Sequence, residues 1–241
     1  MSWDRNSLTL RRGAFAALLA ATASAAAANV LVVRSAGPSA GAYPAGRSLP
    51  DNARITLRAG DTLVVLAGGG TRTFRGPGTY SPGTAARAGT RTVAANDGRR
   101  ARIGAVRNAG IVPRSPTIWH VDVTQSGTIC LANAGNVMLW RPDATAPDRL
   151  TITAPGGASR QLDWPAGQAT LAWPSDAPIA GGGAYGFRQA GVAVPTQIVF
   201  RTLNSEPSDL QAVAAALIEN GCRDQLDVLV ETQPDLSAPA G

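Results

Sequence analysis

Thr128-Ile129-Cys130-Leu131, Asn133-Ala134-Gly135-Asn136 and Val137-Met138-Leu139-Trp140 are two short apolar runs split by a turn tetrad. Runs of four apolar residues bounded by Asn and Gly are strands rather than helices, which need roughly three turns to bury a stripe. Outward from this pair the same signature repeats. Trp119-His120-Val121-Asp122-Val123-Thr124 alternates, with Trp119, Val121 and Val123 on the inward face. Downstream come Arg149 to Thr153, Ala169 to Trp173, Tyr185 to Phe187 and Gln197 to Phe200, at the spacing of a β-sandwich. In Ile129-Cys130-Leu131 the cysteine points away from its neighbours, because successive side chains of a strand face opposite sides. Val137 to Trp140 is apolar at every position, which predicts cover on both faces. Prolines after Trp164 and Trp173 place those residues at strand ends or edges.

Beyond residue 203 the period changes. Leu210, Val213, Ala214, Leu217 and Ile218 form one helical face. Ser205 is the expected N-cap, with Pro207 in the first turn, Asp209 suiting the helix dipole and Gly221 as the stop. A second helix carries Cys222, Leu226, Leu229 and Val230 on one face. Cys130 and Cys222 are the only cysteines, and a lone pair in an exported chain predicts one disulfide. Such a bond staples the helical hairpin, residues 204–232, to the outer face of the sandwich, residues 118–203. The same helices are expected to cover Val137 to Trp140. Residues 233–241 are expected to be a disordered tail.

Toward the N-terminus, residues 29–83 form a separate set of short strands. Val30 to Val33, Arg54 to Arg58, Thr62 to Leu66 and Thr71 to Phe74 alternate or run apolar, and Gly68-Gly69-Gly70 is a hairpin turn. Strands this short and close demand a small barrel or roll. Residues 84–117 hold seven arginines against Asp97 and few large apolar side chains, the composition of a linker. Residues 1–28 have the order of a secretory leader. Arg11-Arg12 precede a short apolar run, and the small-x-small sites Ala23-Ser24-Ala25 and Ala26-Ala27-Ala28 follow. That run is too short for a membrane span, so the expected address is the periplasm of a Gram-negative bacterium, with no integral segment after cleavage.

The basic residues are all arginine, and the formal net charge is +6. Removing the leader, with its three arginines and one aspartate, lowers this to +4. An exported chain with so modest an excess is not expected to bind nucleic acid. One histidine, His120, shares a strand face with Asp122 and lies near Ser126. A Ser-His-Asp arrangement would need closer geometry and a nucleophile elbow, so no catalytic residue is expected. One histidine and two bridged cysteines make no zinc site, and Gly68-Gly69-Gly70 lacks the ending of a phosphate loop, so neither metal nor cofactor is expected. The candidate ligand-binding residues are Trp164 and Trp173, as an exposed pair able to stack on sugar rings, and Arg99, Arg100 and Arg102, able to hold an anionic glycan.

Val30 to Val33, Pro44 to Leu49, Leu57 to Asp61 and Gly76-Pro77-Gly78-Thr79-Tyr80 together resemble the envelope domains called FecR-like, over about a quarter of the chain. The resemblance implies a non-catalytic, β-rich periplasmic domain. The namesake of that family relays a signal from an outer-membrane receptor to an inner-membrane regulator. This chain departs from it in having a leader in place of a cytoplasmic segment and single span. The second half is similar in pattern to immunoglobulin-like and fibronectin-type sandwiches, a likeness of fold alone. The resulting expectation is a mainly β protein. It has a FecR-like roll, an arginine-rich linker, and a sandwich with a packed helical hairpin. Its expected role is non-catalytic interaction or scaffolding with an envelope protein partner. Glycan binding is the first alternative and hydrolysis the second.

Overall fold

The computed structural model describes residues 29–83, 115–203 and 207–237. The leader, most of the arginine-rich stretch including Arg99, Arg100 and Arg102, and Ser205 lie outside the described residues. The first unit comprises β1 (Asn29–Ala36), β2 (Ser48–Pro50), β3 (Ile55–Leu57), β4 (Thr62–Ala67), β5 (Gly70–Arg75) and β6 (Gly78–Tyr80). Four of these make a sheet in the order β2-β1-β4-β5, and β3 pairs with β6. Gly68 and Gly69 close a two-residue hairpin, with Ala67 opposite Gly70. Alternate residues Val30, Val32, Leu63, Val65 and Phe74 fill the roll with Ile55 and Leu57. Buried Asp61 ties two turns together by accepting the N–H groups of Ser39, at 2.8 Å, and Arg58. Burial raises its pKa, but the hydrogen bonds from Ser39 and Arg58 outweigh this and hold the carboxyl below the usual range.

The second unit is the expected sandwich. Its strands are β7 (His120–Asp122), β8 (Gly127–Leu131), β9 (Met138–Trp140), β10 (Asp148–Thr153), β11 (Ser159–Trp164), β12 (Thr170–Ala172), β13 (Ala184–Arg188) and β14 (Thr196–Thr202). One sheet runs β11-β10-β13-β14-β8 and the other β12-β9-β7. Their facing sides meet in a core that includes Val121, Ile129, Leu139, Leu150, Trp164, Phe187, Ile198 and Phe200. Two pairings are parallel, β14 with β8 and β7 with β9. This departs from the all-antiparallel sandwich, and it arises where the chain passes from one sheet to the other between β7 and β8.

The helices are α1 (Leu210–Glu219) and α2 (Arg223–Thr232). The N-cap of α1 is Asp209, whose carboxylate accepts the Ala212 N–H at 2.8 Å. The expected cap at Ser205 is therefore wrong by one turn, and Pro207 precedes the helix. Asp competes as a cap because its acceptor also meets the positive end of the helix dipole. Gly221, at φ 72°, supplies the left-handed turn that ends α1.

A third core joins the two β units. Leu31 and Val33 of β1 and Val64 and Leu66 of β4 meet Ala214 and Leu217 of α1, Leu226, Leu229 and Val230 of α2, and Cys130 and Cys222. The helices expected over Val137 to Trp140 thus cover β1 and β4 instead, while Leu139 and Trp140, on opposite faces of β9, are both buried outside this middle core. The helices pack on β1 and β8, the middle core holds no residue of β9, and Met138 is half-exposed. Trp119 also joins this middle core rather than the sandwich interior.

The expected disordered tail needs correction over residues 233–237. Asp235 bridges to Thr71 in parallel. Thr71 donates to the Pro234 carbonyl at 2.9 Å and accepts from Leu236 at 2.8 Å. A Cβ at Gly70 would lie 2.5 Å from the Pro234 carbonyl oxygen, so this close approach requires glycine. The segment covers the outer edge of β5, where unpaired backbone groups would otherwise face water.

The two sulfurs of Cys130 and Cys222 are 2.01 Å apart, and both residues are fully buried. Their separation of 92 residues closes a loop worth about 4–5 kcal/mol in the chain-entropy account. Reducing the protein, or replacing both cysteines by Ser, is expected to lower unfolding free energy by about that amount. Guanidinium unfolding with and without reductant measures this, and an unchanged midpoint refutes it.

Candidate functional site

β8 is an end strand of its sheet, so half of its backbone groups point away from β14. Gln225 of α2 meets them. Its Oε1 accepts the Cys130 N–H at 2.6 Å, and its Nε2 donates to the Cys130 carbonyl at 3.0 Å and to that of Ile118 at 2.7 Å. A side-chain amide here does the work of a neighbouring strand, and Gln225 is buried with it. Gln225→Ala leaves those groups unpaired and is expected to cost about 3 kcal/mol. Gln225→Glu, which can accept but cannot donate to the two carbonyls, is expected to be no milder. Chemical denaturation of the three proteins tests both statements, and a wild-type midpoint for Gln225→Glu overturns the strand-mimic role.

The amide forms one wall of a cleft of about 390 Å³ between α2 and the segment 115–129. Period 3.6 places Asp224, Asp227, Val228 and Glu231 on one face of α2, beside the buried stripe of Leu226, Leu229 and Val230. Asp122 and His120 face them from β7, whose other side sends Val121 into the sandwich. Ser115, Thr117, Gln125 and Ser126 supply polar atoms, and Ile118, Ile129 and Val228 supply apolar surface. Four carboxylates and no arginine line the cleft of a chain that is basic as a whole. Arg34 of β1 reaches Asp227 from outside, and both side chains are about half exposed. An exposed pair of this kind contributes little stability, about 0–1 kcal/mol.

The sequence pattern His120, Asp122 and Ser126 therefore does converge, but its hydrogen bonds lead elsewhere. His120 Nδ1 lies 2.8 Å from the Thr117 hydroxyl. Asp122 accepts from the Thr124 N–H at 2.8 Å and its hydroxyl at 2.6 Å, closing a local turn. The Ser126 hydroxyl accepts the Gln197 N–H at 2.9 Å, where β14 begins. Each member is committed to a turn or strand end rather than to the next member of a triad. Among the described residues no group of three His, Cys, Asp or Glu side chains is placed to hold a metal ion.

Burial holds the His120 pKa below its ordinary value, so its neutral form dominates at neutral pH. The unfolded chain then binds the proton first, and stability tied to neutral His120 is complete above about pH 6.5 and falls below it. Denaturant midpoints between about pH 7.5 and 5 should decline more steeply for wild type than for His120→Gln, and parallel profiles refute the assignment.

Trp164 and Trp173 do not form an exposed pair. Trp164 is fully buried, with the guanidinium of Arg141 5.0 Å above its ring. Buried Arg141 also donates to the carbonyls of Gln168, at 3.2 Å, and Pro165, at 2.9 Å. Trp173 stacks edge-on against Tyr185 and Phe200 and donates to the Ala177 carbonyl at 2.6 Å. Proline after each tryptophan ends a strand as expected, yet the ring itself turns inward because its area outweighs the edge position. Sequence reasoning passed over Gln225 and the acidic face of α2. The spacing of Asp224, Asp227 and Glu231 at i, i+3 and i+7 was the available signal.

Val192 and Val194 are the large hydrophobic residues left exposed among the described ones, and both sit between β13 and β14. No described helix is long and apolar enough to cross a membrane. No protein-family model, curated protein or solved structure matches this chain.

Proposed function

We propose that this chain is an exported, non-catalytic interaction and scaffolding protein of the bacterial periplasm, acting with an envelope protein partner in a signalling system. The observation that carries the reading is the middle core. Helices α1 and α2 bury apolar surface of both β units at once, so the roll and the sandwich present their surfaces in one fixed relation. A protein built this way suits holding partners in place more than closing on a substrate. The commitments of His120, Asp122 and Ser126 to local structure favour binding over catalysis. Export is supported by the leader-like order of residues 1–28 and by a cysteine pair at bonding distance, which suits an oxidising compartment. The FecR-like pattern of residues 30 to 80 supports an envelope role for the roll.

The test is photo-crosslinking in living cells, with a benzophenone side chain at Gln125 on the cleft and, separately, at Val194. A discrete adduct with one envelope protein is expected from at least one position. Retention of the chain in the cytoplasm, or no adduct from either position, refutes the reading.

A further inference from the structure

The outer edge of β5 already holds an extended peptide, the chain's own residues 234–237. In an antiparallel ladder the backbone groups of alternate residues turn away from the neighbouring strand, so Thr71 and Thr73 present theirs on the side away from β4. Thr71 donates to the Pro234 carbonyl and accepts from Leu236, and the Thr73 N–H donates to the Ser237 hydroxyl at 2.7 Å. At Thr73 a side chain thus stands where a strand would offer a carbonyl, and no described backbone N–H reaches the Thr73 carbonyl. The strap runs parallel to β5, the less stable pairing. Pro-Asp-Leu-Ser is also a poor strand sequence, and Pro234 and Asp235 are exposed. Its one side-chain anchor is at Gly70. A Cβ there would lie 2.8 Å from Leu236 Cγ, so the missing side chain leaves a seat in which Leu236 is half-buried. Backbone groups open to any extended chain, beside a seat for one side chain, are the means by which a sheet edge selects an added strand.

We infer that the edge of β5 is a strand-accepting site for an extended, leucine-bearing segment of the envelope partner, and that residues 234–237 occupy it until that segment displaces them. The strap has the advantage of its tether, which holds it at an effective concentration of order millimolar. The partner segment has the advantage of backbone groups for both Thr71 and Thr73, completing the pairing that the strap leaves short. The inference rests on the interaction reading above and names the surface and the kind of segment that would meet there.

The experiment uses the full chain with its disulfide intact. L236P removes both the leucine and the N–H that donates to Thr71, which releases the strap. The probe is a fluorescein-labelled peptide, Thr-Gln-Pro-Asp-Leu-Ser-Ala, copying residues 232–238. Fluorescence anisotropy is expected to show at least about tenfold tighter binding to L236P than to wild type, because the tethered competitor is gone. Adding G70V, which fills the leucine seat, should return binding to the weak level, and near-UV circular dichroism checks that each variant is folded. In cells, a benzophenone side chain at exposed Arg75, the end of β5, should give an adduct with an envelope protein that is stronger in L236P. Equal peptide affinity for wild type and L236P, or no binding to either, overturns the inference. Binding that survives G70V lies elsewhere and overturns it as well. An adduct between two copies of this chain makes a second copy the occupant and overturns the partner assignment. An adduct from Gln125 or Val194 with none from Arg75 overturns this site alone, whereas failure of the interaction reading shows as no adduct from any position.

Discussion

The attachment of α2 to the edge of β8 is the constraint on which the rest of this structure depends. At Cys130 the side chain reaches Cys222 while the backbone is closed by the amide of Gln225. One strand residue thereby anchors the helical hairpin by a covalent bond and by hydrogen bonds. The other side of that hairpin receives Leu31, Val33, Val64 and Leu66 from the roll. Without α2 in place, apolar side chains of the roll and backbone groups of the sandwich would both face water. Neither β unit has a complete surface until the hairpin is seated.

The same geometry creates the cleft. A helix whose buried stripe is fixed against β1, β4 and β8 must turn its remaining faces to specified neighbours. Period 3.6 then brings Asp224, Asp227 and Glu231 to the side facing β7. The pleat of β7 does the matching work from the other wall, sending Val121 inward and leaving His120 and Asp122 outward. The concentration of negative charge in a basic protein follows from packing that serves another end. Within it His120, Asp122 and Ser126 are each hydrogen-bonded to a local turn or a strand end.

Strand periodicity was legible because it reports one residue's relation to its immediate neighbours. The alternation at residues 120–123, the hairpin at Gly68-Gly69 and the outward turn of Cys130 between Ile129 and Leu131 all rest on the pleat alone. Continuous apolar runs were harder. Val30 to Val33, Leu63 to Ala67 and Val137 to Trp140 look alike on paper, yet the first two receive the helices and the third does not. Which run gains a second neighbour depends on the path of the chain far away in sequence, and periodicity carries no information about that. The tryptophans show the same limit, because proline marks a strand end without saying which way the ring beside it turns.

By itself the sequence determined the class of each segment, namely short strands, two amphipathic helices and a cysteine pair, together with the side of β8 from which Cys130 projects. These follow from backbone geometry and from the separation of apolar and polar faces. Tertiary structure alone decided that the helices join the two β units, that Gln225 stands in for a strand, that residues 234–237 cover β5, and that four carboxylates share one cleft. The physical reason is the same in each case. A buried hydrogen bond or a shared charged surface depends on groups far apart in sequence, and their meeting is settled only when the burial of apolar faces has fixed where each element lies.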